Sequence, residues 1–227
     1  DPAQDRRSSA ARCRTVNAGS SVLRSALTLA GIAATCTALV AGTFQLTAER
    51  IAANEKARLE KSLQPALAGV FYDSDVTESR LTLPPPHGLP GNDAAVVYRV
   101  YSQEEPVAAL FAVSARDGYA GPIRILVGVD LDGVVTGVRI LDHRETPGLG
   151  DKIEAERSDW VYQFDGKSLR NPGITAWAIR VDGGEFDQLT GASITPRAVI
   201  KAIKATLIYF DGHKDELFAA PPSGDGA

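Results

Sequence analysis

The chain has 227 residues, 44% of them hydrophobic, and 24 Lys and Arg against 28 Asp and Glu give a net charge of −4. That length admits one sizeable folded domain plus a further segment, and the mild acidity offers no electrostatic basis for binding nucleic acid. Two cysteines, Cys13 and Cys36, make neither a disulfide framework nor a CxxC pair for metal or redox work.

The sequence begins at Asp1 and holds no Met, which implies a missing or processed initiator end. Residues 1–24 form a basic tail with Arg6, Arg7, Arg12, Arg14 and Arg24. Ser25 to Ala48 then carries no charge. At about 1.5 Å per helical residue, this run crosses a hydrocarbon core of about 30 Å. The arginine excess predicts a cytoplasmic N-terminus, with everything after Ala48 on the far side of the membrane. A cleaved signal peptide has a shorter apolar core of about 7–15 residues, so the reading is a retained anchor. Ala26, Ala30, Ala34, Ala38 and Gly42 recur at every fourth position, a small-residue face suited to close packing against neighbouring membrane helices.

Residues 49–64 mix charged and apolar side chains at helical spacing, as a helical linker would. PPPHGLP, Pro84 to Pro90, reads as a stiff surface loop. Ala94 to Ser102, Val107 to Val113, Ile123 to Asp130 and Val134 to Leu141 are short β-branched or aromatic runs that predict strands. Asp132-Gly133 suits the hairpin turn between the last two. Ile174 to Val181 is a further strand candidate. Thr195 to Tyr209 predicts a helix with Val199, Ile200, Ile203 and Leu207 on its inner face. The expected architecture is a transmembrane helix at 25–48 followed by one α+β domain at 65–213, with a flexible tail at 214–227.

Chemistry concentrates in DQLTGASITP, Asp187 to Pro196. Thr195-Pro196 reads as an N-cap followed by a first helical position. Thr190, Gly191, Ala192 and Ser193 lie just ahead of that helix, where free N–H groups and the helix dipole favour an anion. Gly191 permits a tight backbone and Ala192 leaves room for a neighbour. The local chemistry is a phosphate seat containing a hydroxyl, or else an ordinary capped turn.

Asp187, Thr190, Gly191, Ala192 and Ser193 resemble the D-x-x-[S/T]-G-A-[T/S] flavinylation motif of the FMN-binding domain family, most closely the G subunits of Rnf electron-transport complexes. ETPGLGDKI, Glu145 to Ile153, is similar to the flavin loop of that family, and GYAGPI, Gly118 to Ile123, is similar to a segment upstream of it. The resemblance implies a covalent FMN, esterified through its phosphate to Ser193 by a separate flavin transferase; the family usually carries Thr at this position. It further implies that Thr190, Gly191, Ala192, Thr195, Glu145, Thr146, Gly148 and Leu149 bind the cofactor, with the redox chemistry on FMN and no catalytic side chain. The partners implied are the other membrane and redox subunits of the complex, which moves electrons between NADH and ferredoxin coupled to ion translocation. The setting implied is a bacterial inner membrane with the FMN domain in the periplasm. The C subunit of the sodium-translocating NADH:quinone reductase shares anchor, motif and flavin. A membrane-anchored scaffold with an empty turn is the remaining alternative.

His87, His143 and His213 lack metal-ligand spacing. Asp130 to Gly133 resembles a fragment of a calcium loop without the closing Glu, and a turn is the simpler reading. Tyr119, Trp160, Phe164 and Trp177 are expected in the core or at the rim of the site rather than stacked on a flavin.

Overall fold

The computed structural model describes residues 18–73, 76–77 and 79–219. Arg6, Arg7, Arg12, Arg14 and Cys13, and the terminal PPSGDGA, lie outside them. The chain divides into two units, one ending at Glu55 and one beginning at Lys56.

Helix α1 (Ala18–Ala66) begins in the first unit and ends in the second; its part in the first unit contains a stretch, Val22–Ala48, long and apolar enough to cross a membrane. Its large apolar side chains, including Leu27, Ile32, Val40 and Phe44, are exposed on all sides, which suits a lipid surround. Threonines within an apolar span need internal partners for their hydroxyls. Thr35, Thr37, Thr43 and Thr47 each donate to the carbonyl four residues earlier, at 2.7–2.9 Å. That back-bonding satisfies the hydroxyl without lipid or water.

In the second unit, a five-stranded antiparallel sheet runs in simple order: β1 (Arg80–Leu83), β2 (Ala95–Ser102), β3 (Glu105–Ala115), β4 (Ile123–Asp130) and β5 (Val135–Asp142). The register pairs Val97 with Phe111 and Phe111 with Val127, so these side chains share one face. Helix α2 (Ile194–Ala219) covers that face. Phe210 meets Phe111 edge-on with ring centroids 6.0 Å apart. Arg99, buried on the same face, donates from Nη1 to the Leu217 carbonyl at 3.4 Å, placing a cation at the C-terminal end of α2. The helix therefore runs ten residues past Tyr209 and into the segment expected as a flexible tail. Leu217 is buried against the core there, and Phe218 packs on Tyr101.

The opposite face, with Tyr98, Val100, Leu110 and Leu126, receives Leu63, Ala66 and Leu67 from the end of α1. Two strand glycines permit this approach. A Cβ on Gly128 would lie 2.2 Å from the Ala66 carbonyl oxygen, and one on Gly137 would lie 2.7 Å from that of Pro65. Thr136 Oγ1 donates to the Ala66 oxygen at 2.6 Å.

Residues 150–189 add no strand to the sheet and meet its edge only at the start of β5, where Ser168 bridges Val134 and Val135 exchanges backbone bonds of 2.8 Å with Gly166 and Lys167. Four short 3-10 turns, at Gly150–Ile153, Asp159–Phe164, Ile174–Ala176 and Arg180–Asp182, replace the strand expected at Ile174 to Val181. An aromatic cluster decides this region. Phe164 lies 5.2 Å from Trp160 and 4.9 Å from Phe186, and Trp177 lies 4.7 Å from Phe186. Burying these rings outweighs the local β-propensity of ITAWAIRV, whose Ile174 and Val181 stay exposed.

Candidate functional site: a hydroxyl pocket at the mouth of α2

Three segments converge at the N-terminus of α2: 118–123 between β3 and β4, 143–153 after β5, and 187–195. The 143–153 loop curls around one carbonyl. Thr146 O accepts the N–H groups of Leu149 at 3.2 Å, Gly150 at 3.0 Å and Asp151 at 3.4 Å. Gly148 turns the loop at φ +78°. Leu189 to Ala192 forms a β-turn, closed by Ala192 N–H to Leu189 O at 3.1 Å with Gly191 at φ +79°; a type II turn requires such a residue at its third position. A Cβ on Gly191 would sit 3.1 Å from Leu149 Cδ2, so the two glycine loops touch.

Glu145 ties the segments together. Its Oε1 accepts the Ala120 N–H at 3.1 Å and its Oε2 accepts the Thr195 hydroxyl at 2.5 Å. Its own N–H donates to His143 Nδ1 at 3.0 Å, which leaves the ring proton on Nε2 for Glu154 Oε1 at 3.0 Å. Gly150 is obligatory for this packing. A Cβ there would lie 2.9 Å from both Cβ and Oε2 of Glu145.

The three hydroxyls separate by environment. Thr195 does not cap α2. The helix starts at Ile194, so Ser193 stands at the N-cap position, its carbonyl accepting the Arg197 N–H at 3.4 Å. Thr195 sits one turn position further in, 1% exposed, with its hydroxyl committed to Glu145. Thr190 is exposed on the β-turn. Ser193 is half-buried, and its hydroxyl has no hydrogen-bond partner among the described residues. The usual N-cap bond to the third helical residue is impossible here, because that residue is Pro196.

A cavity of about 330 Å³ opens between these groups. Glu145, Thr146, Leu149 and Gly150 make one wall, Gly191 to Thr195 the other, and Tyr119 the rim. Most of the residues expected to bind a cofactor thus share one cavity, while Gly148 and Thr190 shape its turns from outside the lining. Tyr119, expected in the core or at the rim, stands at the rim, and Gly150 comes with the ETPGLG loop. Ile194 joins the lining unforeseen, directly after the hydroxyl turn. Trp160, Phe164 and Trp177 are buried core.

The hydroxyl turn is braced from behind. Trp160 Nε1 donates to the Asp187 carbonyl at 2.6 Å, and Asp187 N–H donates to Gln163 Oε1 at 2.7 Å. Asp187 directs its carboxylate to Arg180, at 2.9 Å, rather than into the cavity. Arg197, in the first turn of α2, holds Asp182 through two bonds of 2.6 and 2.9 Å. Those bonds keep the Asp182 carboxyl below the usual carboxylate range.

The other two histidines are engaged elsewhere. His87 bridges Leu89 N–H and the Asp93 carbonyl, and His213 stacks on Tyr209. Asp130 Oδ1 accepts the N–H groups of Asp132 and Val134, both at 2.9 Å, which makes that segment an Asx-type turn. A larger cleft of about 630 Å³ lies at the strand ends around Arg116, Arg124 and Arg144. Of the three motif segments only Pro122 reaches it, and among the described residues no helix begins there.

The pocket at the mouth of α2 belongs to a flavin-nucleotide-binding class of domain: residues 118–208 match the family described as FMN-binding domain. Residues 17–65 match the RnfG N-terminal region. The G subunit of the ion-translocating oxidoreductase complex from Shewanella amazonensis is 41% identical over 201 residues, 88% of this chain and 94% of that protein. The protein of the same name from Pseudomonas aeruginosa is 42% identical over 201 residues, 88% and 93% of the two chains. That from Aliivibrio fischeri is 39% identical over 198 residues, 87% and 94%. The chain belongs to this G-subunit family, as a membrane-anchored protein with an FMN-binding domain.

Proposed function

We propose that Ser193 carries FMN as a phosphoester and that the chain relays electrons within an Rnf-type complex. The observation that carries this reading is the free Ser193 hydroxyl, set at the N-cap of α2 and opening on the cavity where all three motif segments meet.

The residues fit the group. The N–H groups of Ile194 and Thr195, in the first turn of α2, have no backbone acceptor among the described residues, and with the helix dipole they favour a phosphate beside Ser193. Thr195 is the poorer attachment point, because its hydroxyl is buried and already bonded. Bound FMN supplies one- and two-electron redox chemistry. Leu149 and Ile194, 42% and 47% exposed, and Tyr119 offer apolar surface to a flat ring and keep water from one side of it. An ester link retains a cofactor where the free nucleotide is scarce.

By family, the partners are the other subunits of the complex and, for maturation, a flavin transferase. The reaction served is NADH:ferredoxin oxidoreduction coupled to ion movement, to which this chain contributes one carrier. The basic residues before the span favour a cytoplasmic N-terminus and an FMN domain, at 65–213, in the periplasm of a bacterial inner membrane.

Intact-mass analysis of the chain produced with a flavin transferase tests the attachment. The wild type and Thr190→Ala are expected to gain the mass of an FMN ester and to fluoresce in a denaturing gel. Ser193→Ala is expected to lose both signals. An unmodified wild-type mass, or a modified Ser193→Ala, refutes the assignment.

A further inference from the structure

Glu145 is an unusual group to place in the wall of a cavity. It is 5% exposed, and among the described residues no Lys or Arg pairs with it. An unpaired buried carboxylate is costly to hold away from water. Only two hydrogen bonds and the nearby N-terminus of α2 offset that cost. A scaffold needing to join Ala120 to Thr195 does not require a charge. A glutamine amide makes the same two links, with its oxygen accepting from Ala120 N–H and its NH2 donating to Thr195. The Thr195 hydroxyl both donates and accepts, so it turns to suit.

The charge is therefore separable from the scaffold, and it lies in the lining of the pocket assigned to the flavin. We propose that Glu145 is a positioning residue that draws the three wall segments together and holds a fixed negative charge against the bound flavin, lowering its reduction potential. The proposal rests on the flavin reading of the pocket. Adding an electron to a group beside a fixed negative charge is opposed by repulsion, and the low dielectric of a half-buried site weakens the screening. The two tasks fall on different parts of the side chain. Both oxygens clamp the walls, and the net charge acts on the cavity.

The test is an optical redox titration of the full-length flavinylated chain in detergent, comparing wild type with Glu145→Gln, alongside melting curves and intact masses. Glu145→Gln is expected to melt with the wild type, to carry flavin, and to titrate at a higher midpoint potential. Partial loading does not disturb the reading, since only flavin-bearing protein absorbs. Glu145→Ala, which loses both links, is expected to melt lower and load less. A flavin-bearing Glu145→Gln with an unchanged or lower midpoint overturns the proposal. So does a folded Glu145→Gln that takes no flavin, because the amide keeps the walls joined. If the wild type itself carries no flavin, the flavin reading of the pocket fails, and this proposal with it.

Discussion

Replacing Gly150 by Ala probes how tightly the pocket is assembled. The added Cβ would lie 2.9 Å from Glu145 Cβ, 2.9 Å from Glu145 Oε2 and 3.1 Å from Thr195 Oγ1. Carbon atoms prefer separations of about 3.5–4.0 Å, so Glu145 has to retreat by more than half an ångström. Glu145 is not free to do so, since Ala120 and Thr195 hold its two oxygens. Overpacking of this kind costs about 1–3 kcal/mol. At about 2–4 °C per kcal/mol for a chain of this size, the melting temperature falls by about 2–12 °C. Gly148→Ala is the control. Gly148 has φ +78° and open space where a Cβ would go, so it carries only the left-handed backbone penalty of about 1 kcal/mol. The assay is tryptophan-fluorescence melting of the full chain in detergent, with flavin loading read by intact mass. Gly150→Ala is expected to lose stability and flavin together, and Gly148→Ala to lose some stability and keep its flavin. A Gly150→Ala protein that melts and loads as the wild type does would show that Glu145 and Thr195 are not locked.

Trp160→Phe keeps a ring in the aromatic cluster but removes the donor to the Asp187 carbonyl. Asp187 is exposed, so water can take over the carbonyl and the loss is that of one ordinary bond, about 0.5–1.5 kcal/mol, which urea denaturation together with flavin loading should register. Gly128→Ala puts a Cβ 2.2 Å from the Ala66 oxygen, so the end of α1 should lift from the sheet and faster proteolysis between Leu63 and Val70 should report it. Asp182 titrates below its ordinary value of 3.8 because Arg197 bonds it. A depressed carboxyl contributes stability that is present above the unfolded value and lost as pH falls through the folded one. Carbon-13 NMR should therefore show the Asp182 midpoint return upward in Arg197→Ala, with the difference between the two proteins' stabilities vanishing in acid.

Much of this molecule was already set by local sequence. An uncharged run from Ser25 to Ala48 becomes an apolar helix because no other structure satisfies every backbone group in lipid. Alternating β-branched runs become β2 to β5, paired in order, because short turns join antiparallel neighbours at the least entropic cost. The motif letters marked Ser193, Gly191, Glu145 and Leu149 before any fold was known. Tertiary structure decided what the letters do. Ile174 to Val181 reads as a strand in isolation, yet the burial of Trp177 beside Phe186 draws it into turns. Thr195 reads as a helix cap, yet a carboxylate fifty residues earlier takes its hydroxyl and leaves the cap position, and the free oxygen, to Ser193. Local periodicity reports which face of an element is apolar. It carries no information about which distant side chain arrives to claim a hydrogen bond, and that arrival is what distinguishes one hydroxyl from the next.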